Sequence, residues 1–249
     1  MKRTLLTSIF VLVGLVLFAN ATDEARYNYY DKTTTRNADG STDYNVRFSL
    51  TLFTHTAMNS TYGETFVTYN PDFQKVTINE AYTIQKNGKK VPMPERAVSD
   101  VLPSLAAKAS DFNQLKEKVI IHTGLDLGST IYLDYTIHSA PGFNKNLDFT
   151  DNFDATSPIT KLTYTVVVPA GSALKNMMCS PNGTILPKQE QTSNGNRTIK
   201  YEVDSIPARS RENFQVRDMT KHYFFFCTLS DFATEMKEVF YSGIDPDIQ

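Results

Sequence analysis

Two cysteines, Cys179 and Cys227, and four histidines, His55, His122, His138 and His222, are the side chains from which nucleophilic or metal chemistry would be built in this chain. A nucleophile needs a base within hydrogen-bond reach. The nearest pair in sequence is His222 and Cys227, in the stretch HYFFFC. If that stretch is one strand, an odd separation of five sends the two side chains to opposite faces, and no local dyad forms. Metal sites need clustered ligands. The four histidines stand far apart, with no H-x-H or H-x-x-x-H pair. Asp39-Gly40-Ser41-Thr42-Asp43 places acids around a glycine but lacks the order of a calcium loop, and it reads as a hairpin turn. No P-loop, G-x-G-x-x-G or G-x-S-x-G occurs, and there is no Trp. Tyrosines could form a sugar-stacking platform, but many fall on apolar strand faces where core is the default. Residue types and spacing therefore indicate no catalytic set, no metal ligands and no cofactor.

The elements that would position any site are strands. In LDLGSTIYLDYTI (125–137), Ile131, Leu133, Tyr135 and Ile137 face one way, and Tyr132, Asp134 and Thr136 the other. A period of two marks a half-covered antiparallel sheet. Val46-Phe48-Leu50-Leu52, Leu162-Tyr164-Val166-Val168 and Ile199-Tyr201-Val203 repeat the pattern. So does Val76-Ile78-Tyr82-Ile84, broken at Glu80. Asp39-Gly40, Asn87-Gly88, Asn182-Gly183 and Asn194-Gly195 punctuate the runs as tight turns. Many strands with frequent turns predict an all-β fold, an antiparallel β-sandwich of the immunoglobulin-like two-sheet type. Ser99 to Leu115 breaks the alternation and reads as a short helix or a long loop. Asp231 to Tyr241 reads as a short C-terminal helix, with Phe232, Met236, Val239 and Phe240 on one face. Those four residues are the candidate partner-binding stripe.

Bulk properties bound the setting. The chain has 249 residues, 25 Lys and Arg and 27 Asp and Glu. Lys2 and Arg3, the uncharged run Leu5 to Phe18 and the small residues Ala19 and Ala21 follow the plan of a secretory signal peptide. That run is shorter than the roughly 20 residues of a membrane span. Removing residues 1–21 takes Lys2 and Arg3 and no acid, so 23 bases remain against 27 acids, a formal charge of −4. Such a balance gives no reason to expect nucleic acid or an anionic membrane as a partner, and after residues 1–21 no apolar stretch is long enough for a membrane span. An exported compartment permits a bridge between Cys179 and Cys227, but sequence cannot place their Cα atoms in range, and the pairing stays open.

The order of three stretches carries a resemblance. They are TYNPDFQKVTINEAYTIQKNGKKVPMPERAVSD (68–100), VIIHTGLDLGSTIYLDYTI (119–137) and SPITKLTYTVVVPAGSAL (157–174). Together they resemble the N-terminal β-domain of secreted bacterial transglutaminase-like proteins, domain of unknown function 3857. The shared marks are the turn Asn87-Gly88, the strand from Gly124 through Tyr135, and the strand end from Val166 through Gly171. The resemblance implies a signal peptide (1–21), a β-sandwich module (22–228) and a C-terminal helix and tail (229–249) leading toward a core. It also implies a periplasmic or secreted location in a Gram-negative bacterium. Such modules precede a papain-like core carrying Cys, His and Asp, and nothing after Cys227 supplies that set. The expectation is therefore a non-catalytic module that positions a transglutaminase-like or peptidase-like partner, or binds a peptide or glycan. The alternative is the N-terminal fragment of a transglutaminase-like cysteine enzyme. For the exported protein, mass spectrometry is expected to find Thr22 at the N-terminus; intact Met1 in a membrane fraction would refute cleavage.

Overall fold

The structure is a computed structural model, and it describes residues 23–104, 114–153, 155–181, 183–209 and 222–230. The described residues are almost entirely β. Strands β1 (Ala25–Arg36), β2 (Thr42–Leu52), β3 (Glu64–Tyr69), β4 (Gln74–Ile84), β5 (Lys90–Pro92), β6 (Val98–Val101) and β7 (Lys116–Ile121) come first. They are followed by β8 (Thr130–Ser139), β9 (Phe149–Asn152), β10 (Ile159–Pro169), β11 (Lys175–Cys179), β12 (Gln189–Ser193), β13 (Asn196–Ile206) and β14 (Phe224–Thr228). One sheet of eight strands has the order β12-β13-β10-β1-β2-β8-β4-β5. Two sheets of three strands, β11-β14-β9 and β3-β7-β6, are the others among the described residues. The all-β, sandwich-like architecture expected from the alternation is present, with three sheets instead of two. Every pairing is antiparallel except β1 with β10, which run parallel.

Residues directly opposite one another across a ladder share a face. Leu162, Tyr30, Phe48, Leu133 and Ala81 form one such row across β10, β1, β2, β8 and β4. That row lies on the inner face. Both small sheets cover this same face, side by side. Sheet β11-β14-β9 packs on β10 and β13, with Met178, Phe225 and Cys227 against Tyr164, Val166 and Tyr201. There Phe225 stacks on Tyr164 with ring centroids 4.0 Å apart. Sheet β3-β7-β6 packs on β2 and β8, with Val67, Tyr69 and Ile120 against Leu50, Ile131 and Leu133. Tyr27 and Tyr30 of β1 touch both cores.

Two bulges set which side chains reach that face. Register shifts between Tyr27 and Tyr29, leaving Asn28 as the extra residue, so Tyr27 and Tyr30 point to the same side despite their odd spacing. A second shift between Ile78 and Glu80 makes Asn79 the extra residue. Beyond it Ala81 and Thr83 turn inward, and Tyr82 and Ile84 turn outward. The break in alternation at Glu80 is this bulge, and the continuation of the inner face through Tyr82 and Ile84 is corrected by it. Both asparagines are used on the outer face. Asn28 donates to Ser49 and Thr51, and Asn79 donates to Asp134 and Thr136.

The Asn194-Gly195 turn joins β12 to β13 with both φ values positive, 50° and 76°, the geometry a two-residue hairpin needs. Gly128, at φ 87°, opens the way into β8. Its amide donates to the Leu52 carbonyl and the Leu52 amide donates to that of Ser129, so the turn is pinned to β2. Of the segment expected to break the pattern, residues 99–101 belong to strand β6. Residues 105–113 and the expected helix at 231–241, with its stripe, lie outside the described residues. Among the described residues, no helix is long and apolar enough to cross a membrane.

His122 follows β7 as a buried group bonded to the Thr65 hydroxyl at 2.8 Å. Burial pushes its pKa down to about 4, so the folded chain holds it neutral. An unfolded histidine titrates near 6.5. Between those values the unfolded chain binds the extra proton, and stability falls as pH drops through this window. It is complete above about pH 6.5 and levels off below about pH 4, a change of at most roughly 3 kcal/mol. Urea unfolding across this range should show the loss, and the His122→Gln variant should lack that part of it.

Candidate functional site

The seam between the two small sheets runs along β1. Lys32 lies there, opposite Val46 on one side and Tyr164 on the other, and so points inward with the core. A charge on that face requires a partner. Strand β9 supplies it, because Asp151 lies opposite Phe225 at the seam edge of the β11-β14-β9 sheet. The Lys32 Nζ stands 2.5 Å from Asp151 Oδ2, and the two side chains are 9% and 16% exposed. Tyr44 donates its hydroxyl to the same carboxylate oxygen at 3.2 Å. The rings of Tyr30 and Phe153 lie 5.1 and 5.0 Å from the ammonium, within cation–π range.

Burial is the main cause that lifts the Tyr30 and Tyr44 hydroxyls above the usual phenol range, and the Asp151 charge adds to it. Tyr135 is raised by burial first and then by Tyr30, while Lys32 opposes the rise. All three phenols therefore stay protonated at neutral pH, and that of Tyr44 donates to Asp151. A cleft of about 360 Å3 opens at the ammonium, lined among others by Tyr27, Tyr30, Lys32, Tyr62, Phe153 and Ile159. Tyr27 and Tyr30 stack at 5.2 Å, and Tyr62 meets Tyr27 edge-on at 6.0 Å. Tyr62 donates to Ser157 at 2.7 Å, tying the turn Ala57–Thr61 to the segment that leads into β10. A neutralised cation beside aromatic walls is suited to binding; among the described residues no nucleophile is paired with a base in it.

The residues singled out for chemistry are scattered. Cys227 is buried, its Sγ faces the Leu147 carbonyl at 3.6 Å, and burial pushes its pKa up to about 12. Such a thiol stays protonated and is a poor nucleophile at neutral pH. His222 precedes β14 and accepts from Arg209 at 3.0 Å. Cys179 and Cys227 are both free thiols. Cys227 lies opposite Asn176, three residues along β11 from Cys179, which is about 10 Å and the other face of the strand. His138 pairs with Asp43 at 2.7 Å on the outer face, and His55 is exposed. Among the described residues no group of three or more His, Cys, Asp or Glu could hold a metal. Lys32 and Asp151 went unnoticed in the sequence. The available signal was a lysine two residues beyond Tyr30, and the bulge at Asn28 hid the face it shares with Tyr27.

The family described as Domain of Unknown Function with solved-structure structure (DUF3857) matches residues 38–210. The chain belongs to that family. A crystal structure of a "putative protease" from Parabacteroides distasonis is 43% identical, with a TM-score of 0.78 over 83% of this chain and 40% of its own. The chain thus spans about two fifths of that protein's length. An M1 zinc metallopeptidase from Deinococcus radiodurans aligns over 82% of this chain and 42% of its own, at 11% identity and a TM-score of 0.38. A likeness that weak carries no argument. No curated protein matches the chain.

Removing one member of a buried ion pair strands the other. Asp151→Asn should destabilise the fold by about 3–5 kcal/mol, whereas the double replacement Lys32→Met with Asp151→Leu should recover most of that loss. Denaturant titrations of both variants check this, and equal losses in the two would contradict it.

Proposed function

We propose that this chain is an exported, non-catalytic β-module that positions a peptidase-like or transglutaminase-like catalytic part. One observation carries the reading. The chain aligns over 83% of its length, at 43% identity, with only 40% of a protein described as a "putative protease". Most of that protein therefore lies beyond the matched module, and the reading assigns the chemistry to the remainder. The state of the thiols agrees with this assignment, since Cys227 is buried and Cys179 has no histidine beside it in its ladder. In this account export follows from the signal peptide read at residues 1–21, and the location is periplasmic or secreted. A second reading, compatible with the partial coverage of that relative, takes this chain as the N-terminal part of a transglutaminase-like cysteine enzyme. The two differ in whether the catalytic part is covalently attached or recruited.

The test uses residues 22–249 alone and together with the unmatched remainder of the Parabacteroides distasonis protein. Peptide hydrolysis and amine incorporation into glutamine peptides are measured in each. The module alone should give no turnover, and it should co-elute with the remainder on size-exclusion chromatography. Turnover by the module alone that disappears in Cys227→Ser would overturn the proposal.

A further inference from the structure

The cleft at the seam has the features of a built binding site. Its volume of about 360 Å3 falls at the lower end of ligand pockets, about 300–1,000 Å3. Among the described residues its one charged lining residue is Lys32, which is more than nine-tenths buried. An ammonium has three protons to donate. Among the described residues Asp151 Oδ2 is the one acceptor in hydrogen-bond contact with it. Its other neighbours there are the faces of Tyr30 and Phe153. A donor is therefore available to whatever enters the cleft.

Charge and surface narrow the class of ligand. Asp151 already neutralises the ammonium, so a second anion would meet its repulsion in a poorly hydrated site. A neutral carbonyl oxygen meets no such cost and gains a charge-assisted hydrogen bond. The walls combine the four rings of Tyr27, Tyr30, Tyr62 and Phe153 and the aliphatic Ala155 and Ile159 with the polar Thr61, Asn152 and Thr156. Hydroxyl and amide groups suit a peptide backbone, and the rings suit an apolar side chain. The geometry points to the cleft as a binding site for a short apolar peptide segment, with a backbone carbonyl on Lys32 Nζ and a hydrophobic side chain among the four rings. The inference stands on the cleft alone and is independent of the module's relation to a catalytic part.

The probe is N-acetyl-phenylalanine N-methylamide, followed by amide chemical-shift changes in labelled protein. Shifts should centre on Tyr62, Phe153 and Thr156, with a dissociation constant in the millimolar range. N-acetyl-phenylalanine, which carries a free carboxylate, should bind roughly tenfold more weakly. Ala155→Phe, which fills the cleft and leaves Lys32 and Asp151 in place, should abolish the shifts. The double variant Lys32→Met with Asp151→Leu keeps the cleft and removes the donor, and should weaken binding about tenfold. If the double variant does not fold, Ala155→Phe and the comparison of the two probes decide alone. Absence of binding, equal affinity for the two probes, or binding that survives Ala155→Phe would each overturn the inference.

Discussion

The fold depends on covering an inner sheet face that is too wide for one small sheet. Eight strands at about 4.8 Å spacing span well over 30 Å, and a three-stranded sheet covers roughly a third of that. Two such sheets share the task, and a seam is left where they meet. Strand β1 lies under that seam, joined to β2 by antiparallel pairing and to β10 by the one parallel pairing. Almost everything distinctive in the molecule follows from what fills the gap. Large aromatic rings bridge it, because Tyr27 and Tyr30 can touch the cores on both sides at once.

The ion pair sits at the point the rings do not close. A lone lysine on an inner face would be prohibitive, and a lone aspartate equally so. Together, with a tyrosine hydroxyl on the same carboxylate and two ring faces beside the ammonium, they are compatible with burial. Such a pair seldom adds much net stability over a well-packed apolar alternative. It does tie β9, and with it the sheet that carries Phe225, to β1, which lies in the middle of the large sheet. It also leaves a polarised group facing a cleft, which an apolar plug would not.

The two faces of the large sheet therefore have different characters. The inner one holds the core and the cleft. The outer one is a lattice of Thr, Asn, Asp and Tyr, in which the extra residues of the two bulges, Asn28 and Asn79, hydrogen-bond to neighbouring strands. Both bulges increase local twist, and both exchange which residues face inward. The 43% identical relative carries this architecture within a longer protein. This chain's two thiols lie in separate environments, on opposite faces of the small sheet.

Much of this was legible in the residues alone. The alternation of Ile131 and Leu133, of Val46 through Leu52 and of Leu162 through Val168 determined the strands and their buried faces, because side-chain direction in a strand is local. The turn at Asn194-Gly195 was equally local, since positive φ at both positions is a property of those residues. The order of the three quoted stretches was enough to indicate the family. What tertiary structure alone decided were relations between distant segments. The bulges at Asn28 and Asn79 depend on the register of a partner strand, so the inward turn of Ala81 in place of Tyr82 could not be read from spacing. The parallel pairing of β1 with β10 brings together residues more than 120 apart, and no local pattern encodes it. The meeting of Lys32 with Asp151, 119 residues away, depends on all of these at once, because a charged pair of this kind exists only where three sheets leave room for it.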